Sequence, residues 1–245
     1  IGPAPVIGIN GFGLEVGNNV EFNNNNVIPK NSSGVFGGNI DFVSLPDMGM
    51  TYKLRGGFRA SFNSSTFAIN NFSIFGQFAL MNSSFPPSNN RGQTGEFFNG
   101  SCTMTYDVQN HIFSANANAY ISVAGGLIKG VGPNSRAGEI DILFSSQDWH
   151  IMVGKPNWND RVGLSIGYPG IAALSTRGYF MMGTNLPNTE FPDAVVNIFQ
   201  SEQIHLPQQI QIVSGVSHGA SLDVSTGKQE FLIFYGQFDL VVGYD

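Results

Sequence analysis

The stretch Ala60-Ser61-Phe62-Asn63-Ser64-Ser65-Thr66-Phe67-Ala68-Ile69-Asn70-Asn71-Phe72-Ser73-Ile74-Phe75-Gly76-Gln77-Phe78-Ala79-Leu80 returns between 220 and 240, with eight of 21 positions identical at a constant offset of 160. Ala60-Ser61 come back as Ala220-Ser221, Ser65-Thr66 as Ser225-Thr226, and Gly76-Gln77-Phe78 with Leu80 as Gly236-Gln237-Phe238 with Leu240. The first copy sets Phe72 and Ile74 two positions apart and the second Phe231 and Ile233, and alternation with period two puts one face of a strand into a core and the other toward solvent or a neighbour. A phrase written twice predicts β modules laid end to end.

The same alternation runs outward from this stretch. Ile40–Val43, Met50–Leu54, Phe58–Phe62 and Phe72–Leu80 read as short strands, followed by Thr103–Val108 and Ile112–Lys129 around a turn at Asp107–His111. Glu139–Phe144, Trp149–Gly154 and Arg161–Ile166 read as a meander. Only Pro192–Gln200 looks helical, with Pro at an early position and Asp193 in the first turn. The expected fold is therefore all-β: an antiparallel β-sandwich or meander sheet with one short connector helix.

Turn residues suggest where the modules divide. The run Asn23-Asn24-Asn25-Asn26, with Pro29 and Asn31-Ser32-Ser33-Gly34, predicts a tether. This gives an N-terminal strand and Asn-rich tether over 1–38, a β module over 39–200, and the start of a second copy over 201–245. A first residue that is Ile and a final Phe238–Asp245 that reads as a strand in progress predict a piece of a longer protein.

Composition narrows the function. Charged residues are 11% of the chain, while 31 Gly, 25 Asn, 23 Ser and 21 Phe favour backbone pairing, turns and aromatic burial. Net charge is −6 with Lys and Arg scattered singly, which argues against a nucleic-acid partner. The single Cys102 has no partner for an internal disulfide and reads as a small hydrophobe. Sequons of the form Asn-x-Ser begin at Asn31, Asn63, Asn71, Asn82 and Asn99, as chance in a chain this rich in both residues would give.

Each catalytic motif has a simpler explanation. Ile7-Gly8-Ile9-Asn10-Gly11-Phe12-Gly13 resembles the opening of glyceraldehyde-3-phosphate dehydrogenases, and Ser101-Cys102-Thr103 is similar to the start of that family's nucleophile motif. A dinucleotide site needs a third glycine and a helix to hold the pyrophosphate, but Val16 stands at that glycine and the continuation is Asn-rich. Gly163-Leu164-Ser165-Ile166-Gly167 and Gly215-Val216-Ser217-His218-Gly219 match the nucleophile elbow, yet neither leads into a helix. His111, His150, His205 and His218 show no metal-ligand spacing. Asn157, Asn159 and Asp160 carry oxygens suited to calcium, but they are equally the residues of a hairpin loop. No catalytic, cofactor or metal residues are expected. Trp149 and Trp158 are the candidate glycan-binding residues, through stacking of an indole on a sugar ring.

The segments Gly178–Pro187, Gly219–Asp223, Phe231–Asp245 and Trp149–Ile166 resemble stretches of very long, β-rich surface or secreted proteins of Bacteroidota. That resemblance, over about half the chain, implies an extracellular or outer-surface location. The expected function is a non-enzymatic structural module of a surface assembly such as a fibre, filament or adhesin-like array. Residues 6–22 and 231–244 would pair with neighbouring modules or other copies by strand addition. Two alternatives stand beside it: a carbohydrate-binding β-sandwich, and a segment of an outer-membrane β-barrel. The barrel demands an apolar band of about ten residues per strand, against which the short strands and abundant Asn and Ser weigh.

Overall fold

The computed structural model describes residues 6–23, 26–45, 47, 49–80, 96–168, 172–184, 186–187, 197, 200–201, 216–228 and 231–244. Chain contacts divide it into two compact units. The first holds residues 1–88, 99–117 and 143–146, and the second residues 89–98, 118–142 and 147–245.

In the first unit β1 (Val6–Asn23), β2 (Asn26–Leu45), β3 (Tyr52–Asn63), β4 (Ile69–Leu80), β5 (Phe97–Asp107) and the start of β6 (Ile112–Val123) form an antiparallel meander in chain order. The second unit takes the end of β6, then β7 (Ile128–Gly130), β8 (Arg136–Phe144, to residue 142), β9 (Trp149–Val153), β10 (Leu164–Tyr168), β11 (Ala172–Gly183), β12 (Val216–Lys228) and β13 (Phe231–Tyr244). Its strand order is β6-β7-β10-β11-β12-β13, with β8 joined to β6 and β9, and β9 to β11. The expected all-β, antiparallel architecture is what the chain adopts. Of the connector helix expected over 192–200, the described residues Asn197 and Gln200 are helical, as is Ser201 just beyond it. The rest lies outside the described residues.

Three expectations need correction. The strands are long, 11 to 20 residues each from β1 to β6. The two short strands expected at 50–54 and 58–62 are one, because Gly56 and Gly57 sit mid-strand opposite Gly76 and Phe75. The Asn-rich tether is a hairpin: Asn23 lies opposite Asn26, and residues 26–45 pair back along β1. The boundary expected at 38 therefore falls inside β2. Finally, both copies of the repeated phrase are antiparallel hairpins, but in different register. Ser65-Thr66 lie in the β3–β4 turn whereas Ser225-Thr226 lie within β12, and Gly76 faces Gly56 whereas Gly236 faces Val224.

Pairing in the first unit sorts side chains into two faces. Ile7 and Ile9, then Phe12, Leu14 and Val16, share one face with Phe36, Ile40 and Phe42 of β2 and with Leu54, Phe58, Ala60 and Phe62 of β3. The register continues that face onto Phe72, Ile74 and Phe78 of β4. The opposite face holds Glu15, Asn39, Asp41, Lys53, Arg55, Arg59, Ser61, Asn71, Ser73 and Gln77. In residues 6–17, 35–45, 52–63 and 69–80 every charged residue is on this second face.

Apolar residues of the first face are open. Phe12 and Leu14 are 79% exposed and Val16 87%. Aromatic contacts run across it, with the Phe36 and Phe58 rings 5.3 Å apart edge to face and Phe58 and Phe72 stacked at 6.5 Å. In the second unit, where β9 meets β11, both faces carry apolar pairs. Val153 pairs with Phe180 on an exposed face, while Met152 pairs with Met181, and both methionines are buried with Tyr179 and Leu186.

Candidate functional site

The polar face of the first unit carries a cavity of about 800 Å³. Its geometry follows from two glycines. A Cβ on Gly57 would lie 2.5 Å from the Phe75 ring and 2.5 Å from the Gly38 carbonyl, and one on Gly37 would lie 2.8 Å from the Phe58 carbonyl. Without those side chains, Phe75 and Arg59 lie down over the sheet, the guanidinium 5.4 Å from the ring centroid. Room opens beside them for Asn39 of β2, Ser61 of β3, Asn71, Ser73 and Gln77 of β4, and Ser101, Thr103 and Thr105 of β5.

Two bidentate ion pairs cross the site from strand to strand. Arg55 donates from Nε and Nη2 to the Asp41 carboxylate at 2.7 and 2.6 Å, and Arg59 does the same to Glu15 at 3.0 and 3.1 Å. The planar fork of arginine matches a carboxylate, so each charge is cancelled where it stands. The site's remaining lining is hydroxyls, amides, one aromatic ring and the Cys102 thiol. The Gln77 side-chain oxygen is buried without a hydrogen-bond partner among the described residues.

The second unit holds a different polar arrangement, ionic and partly buried. Arg136 reaches Glu139 at 2.8 Å and Asp160 at 3.0 Å, and Lys155 reaches Glu139 at 3.6 Å. Arg161, fully buried, donates to the Pro156 carbonyl at 3.2 Å and lies 5.2 Å from the Tyr179 ring centroid. Its charges are spent on its own chain. It anchors the β9–β10 connection.

The residues singled out from sequence are dispersed. Trp149 is half-buried in β9, its backbone exchanging hydrogen bonds with Thr184. Trp158 opens a short 3-10 turn over residues 158–160, and its side chain lies outside the described residues. Ser165 is buried within β10, bonded to Ser175, and Ser217 lies within β12 opposite Gly183, so neither glycine-serine motif is a strand-to-helix elbow. Asn157 caps the 3-10 turn by accepting from the Asn159 amide, and Asp160 pairs with Arg136. Their oxygens are thus turned to the protein itself. His111 is 3.5 Å from the Tyr106 hydroxyl and His150 3.6 Å from Asp141; His205 lies outside the described residues, as does the His218 side chain. Among the described residues no three His, Cys, Asp or Glu side chains are grouped to hold a metal. Cys102 is exposed on β5, on the strand beside Gly76.

Sequence reasoning missed Glu15, Asp41, Arg55, Arg59 and Gln77. The signal was present in part, since 53, 55, 59 and 61 on β3 and 71, 73 and 77 on β4 are polar at period two. Which of them meet depends on register across 44 residues, from Glu15 to Arg59. A scan against models of protein families found no match, and searches of curated proteins and of solved structures found none either.

Proposed function

We propose that this chain is a segment of an outer-membrane β-barrel wall, its apolar face in lipid and its polar face toward a water-filled interior. The observation that carries the reading is the two-face partition of the first unit: aliphatic and aromatic side chains stand exposed on one side, and every charge within residues 6–17, 35–45, 52–63 and 69–80 stands on the other. A soluble sheet covers its apolar face, because exposing this much Phe, Ile and Leu to water costs roughly 25 cal/mol per Å². A barrel strand reverses that arrangement, apolar side outward.

The dimensions agree. Apolar-face positions of β3 run from Tyr52 to Phe62, about 33 Å along a strand at roughly 3.3 Å per residue. At a tilt of about 40° this spans about 25 Å, the height of a lipid-facing band. Short strands, the feature that weighed against a barrel in the sequence, are absent from β1 to β6. No described helix is long and apolar enough to cross a membrane, which leaves strands as the spanning elements in this proposal.

The reading of a structural module joined by strand pairing has its own support. Among the described residues β1 pairs only with β2 and β13 only with β12, so residues 6–22 and 231–244 each keep a second edge. A barrel wall uses those edges in the same way, by taking a further strand. Neither proposal assigns catalysis, and both keep the chain at the cell surface.

Site-directed spin labelling along β4, in the full chain with Cys102 replaced by Ser and reconstituted in vesicles, separates them. Labels at 72, 74 and 78 should collide preferentially with oxygen, which concentrates in lipid. Labels at 71, 73 and 77 should collide with a water-soluble nickel chelate. Labels at 72, 74 and 78 that respond to the chelate, or to neither reagent, exclude the membrane and favour a packed surface module.

A further inference from the structure

From the cavity on the polar face we infer a binding site for a neutral, polyhydroxylated ligand, a short oligosaccharide. The site stands on that face alone and does not require the opposite face to be in lipid. Its volume of about 800 Å³ falls within the roughly 300–1,000 Å³ typical of small-molecule sites.

The lining selects the ligand class. An ion needs an uncompensated charge, and the Arg55–Asp41 and Arg59–Glu15 pairs leave none, each guanidinium being already bidentate to its carboxylate. A purely apolar ligand would strip water from hydroxyls and amides on four strands without replacing its hydrogen bonds. A sugar supplies what is missing: hydroxyls that both donate and accept, matched to Ser73, Thr103, Asn39 and Asn71. Gln77 supplies the second, independent sign. Its side chain lines the cavity, and its amide oxygen is buried with no hydrogen-bond donor among the described residues, so a ligand hydroxyl satisfies it once the amide turns outward. The amide can turn to present oxygen or nitrogen, as recognition of a hydroxyl allows.

The test is binding of the full chain, in detergent, to an array of neutral α- and β-linked hexose and N-acetylhexosamine oligosaccharides, with uronate-containing and sulfated glycans alongside. Affinities of the hits would then be titrated against Gln77→Leu, Ser73→Ala and Trp158→Ala. The expected result is binding of neutral glycans, weakened tenfold or more by Gln77→Leu and unchanged by Trp158→Ala. Ser73→Ala, a smaller trim on the same strand, should weaken binding in the same direction and serves if Gln77→Leu does not fold by circular dichroism. The site is refuted if no glycan binds, if only charged glycans bind, if Trp158→Ala alone abolishes binding, or if the two β4 variants bind as the parent does.

Discussion

Asp47, in the turn between β2 and β3, accepts hydrogen bonds from the Ser44 and Thr51 hydroxyls and from the Gly49 and Thr51 amides. The Ser44 hydroxyl, and after it the Thr51 hydroxyl, draw its carboxyl from the ordinary 3.8 to about 2. A folded-state value below the unfolded one adds stability that is fully present above pH 3.8 and is lost as the pH falls toward 2. Asp47→Asn should therefore flatten the acid limb of the Tm profile between those values, as thermal melts at a series of pH values would show. On the polar face, Arg55 and Asp41 are joined by two hydrogen bonds in a partly buried setting. A double-mutant cycle with Arg55→Met and Asp41→Asn should give a coupling of about 1 kcal/mol, read from chemical denaturation. A coupling near zero would mean that the two side chains part in solution. None of these partners was legible from the sequence alone. The alternation shows that Arg55 shares a face with Arg59, but only the pairing of β2 with β3 decides that Arg55 meets Asp41, and the pairing of β1 with β2 is needed as well for Arg59 to meet Glu15.

Among the strands, β1 shows how a pattern can hide. Ile7 and Ile9 occupy odd positions and Phe12, Leu14 and Val16 even ones, so strict alternation would divide them between faces. The register shifts between Ile9 and Gly11, Asn10 being the extra residue, and the bulge returns all five to the same side. A reader of the sequence sees strand character punctuated by glycine; the phase change is intelligible only with β2 alongside. Gly56-Gly57 misleads in the opposite direction. It looks like a turn and is instead the place where β3 makes room for Phe75. The two-sidedness of β4 can be tested directly. Ile74→Arg, on the apolar face near mid-strand, should cost about 2–4 kcal/mol of folding free energy in lipid vesicles, and Asn71→Arg, facing the other way, about 1 kcal/mol or less. Urea-dependent folding into vesicles measures both. Gly57→Ala should destabilise by about 1–3 kcal/mol in the same assay, since its methyl would press on the Phe75 ring and the Gly38 carbonyl.

For the whole molecule, the all-β class and the meander were legible because period-two alternation and turn residues are local signals. The division into units was not, because the repeated phrase reflects what long strands are made of. Identical residues occupy a turn in one copy and a strand in the other. Extraction supplies a prediction at this scale: the full chain should require detergent for recovery and should migrate faster on a denaturing gel before boiling than after. Full recovery in detergent-free buffer as dispersed particles would count against the lipid assignment. Among the described residues, one flank of β1 has no partner strand. In hydrocarbon, an amide or carbonyl without a partner costs several kcal/mol, so a row of them along one strand outweighs the whole stability of an ordinary domain. Seated in a bilayer, the polypeptide would have to acquire whatever closes that flank before or during insertion, and biogenesis would become a single coupled event rather than folding followed by docking.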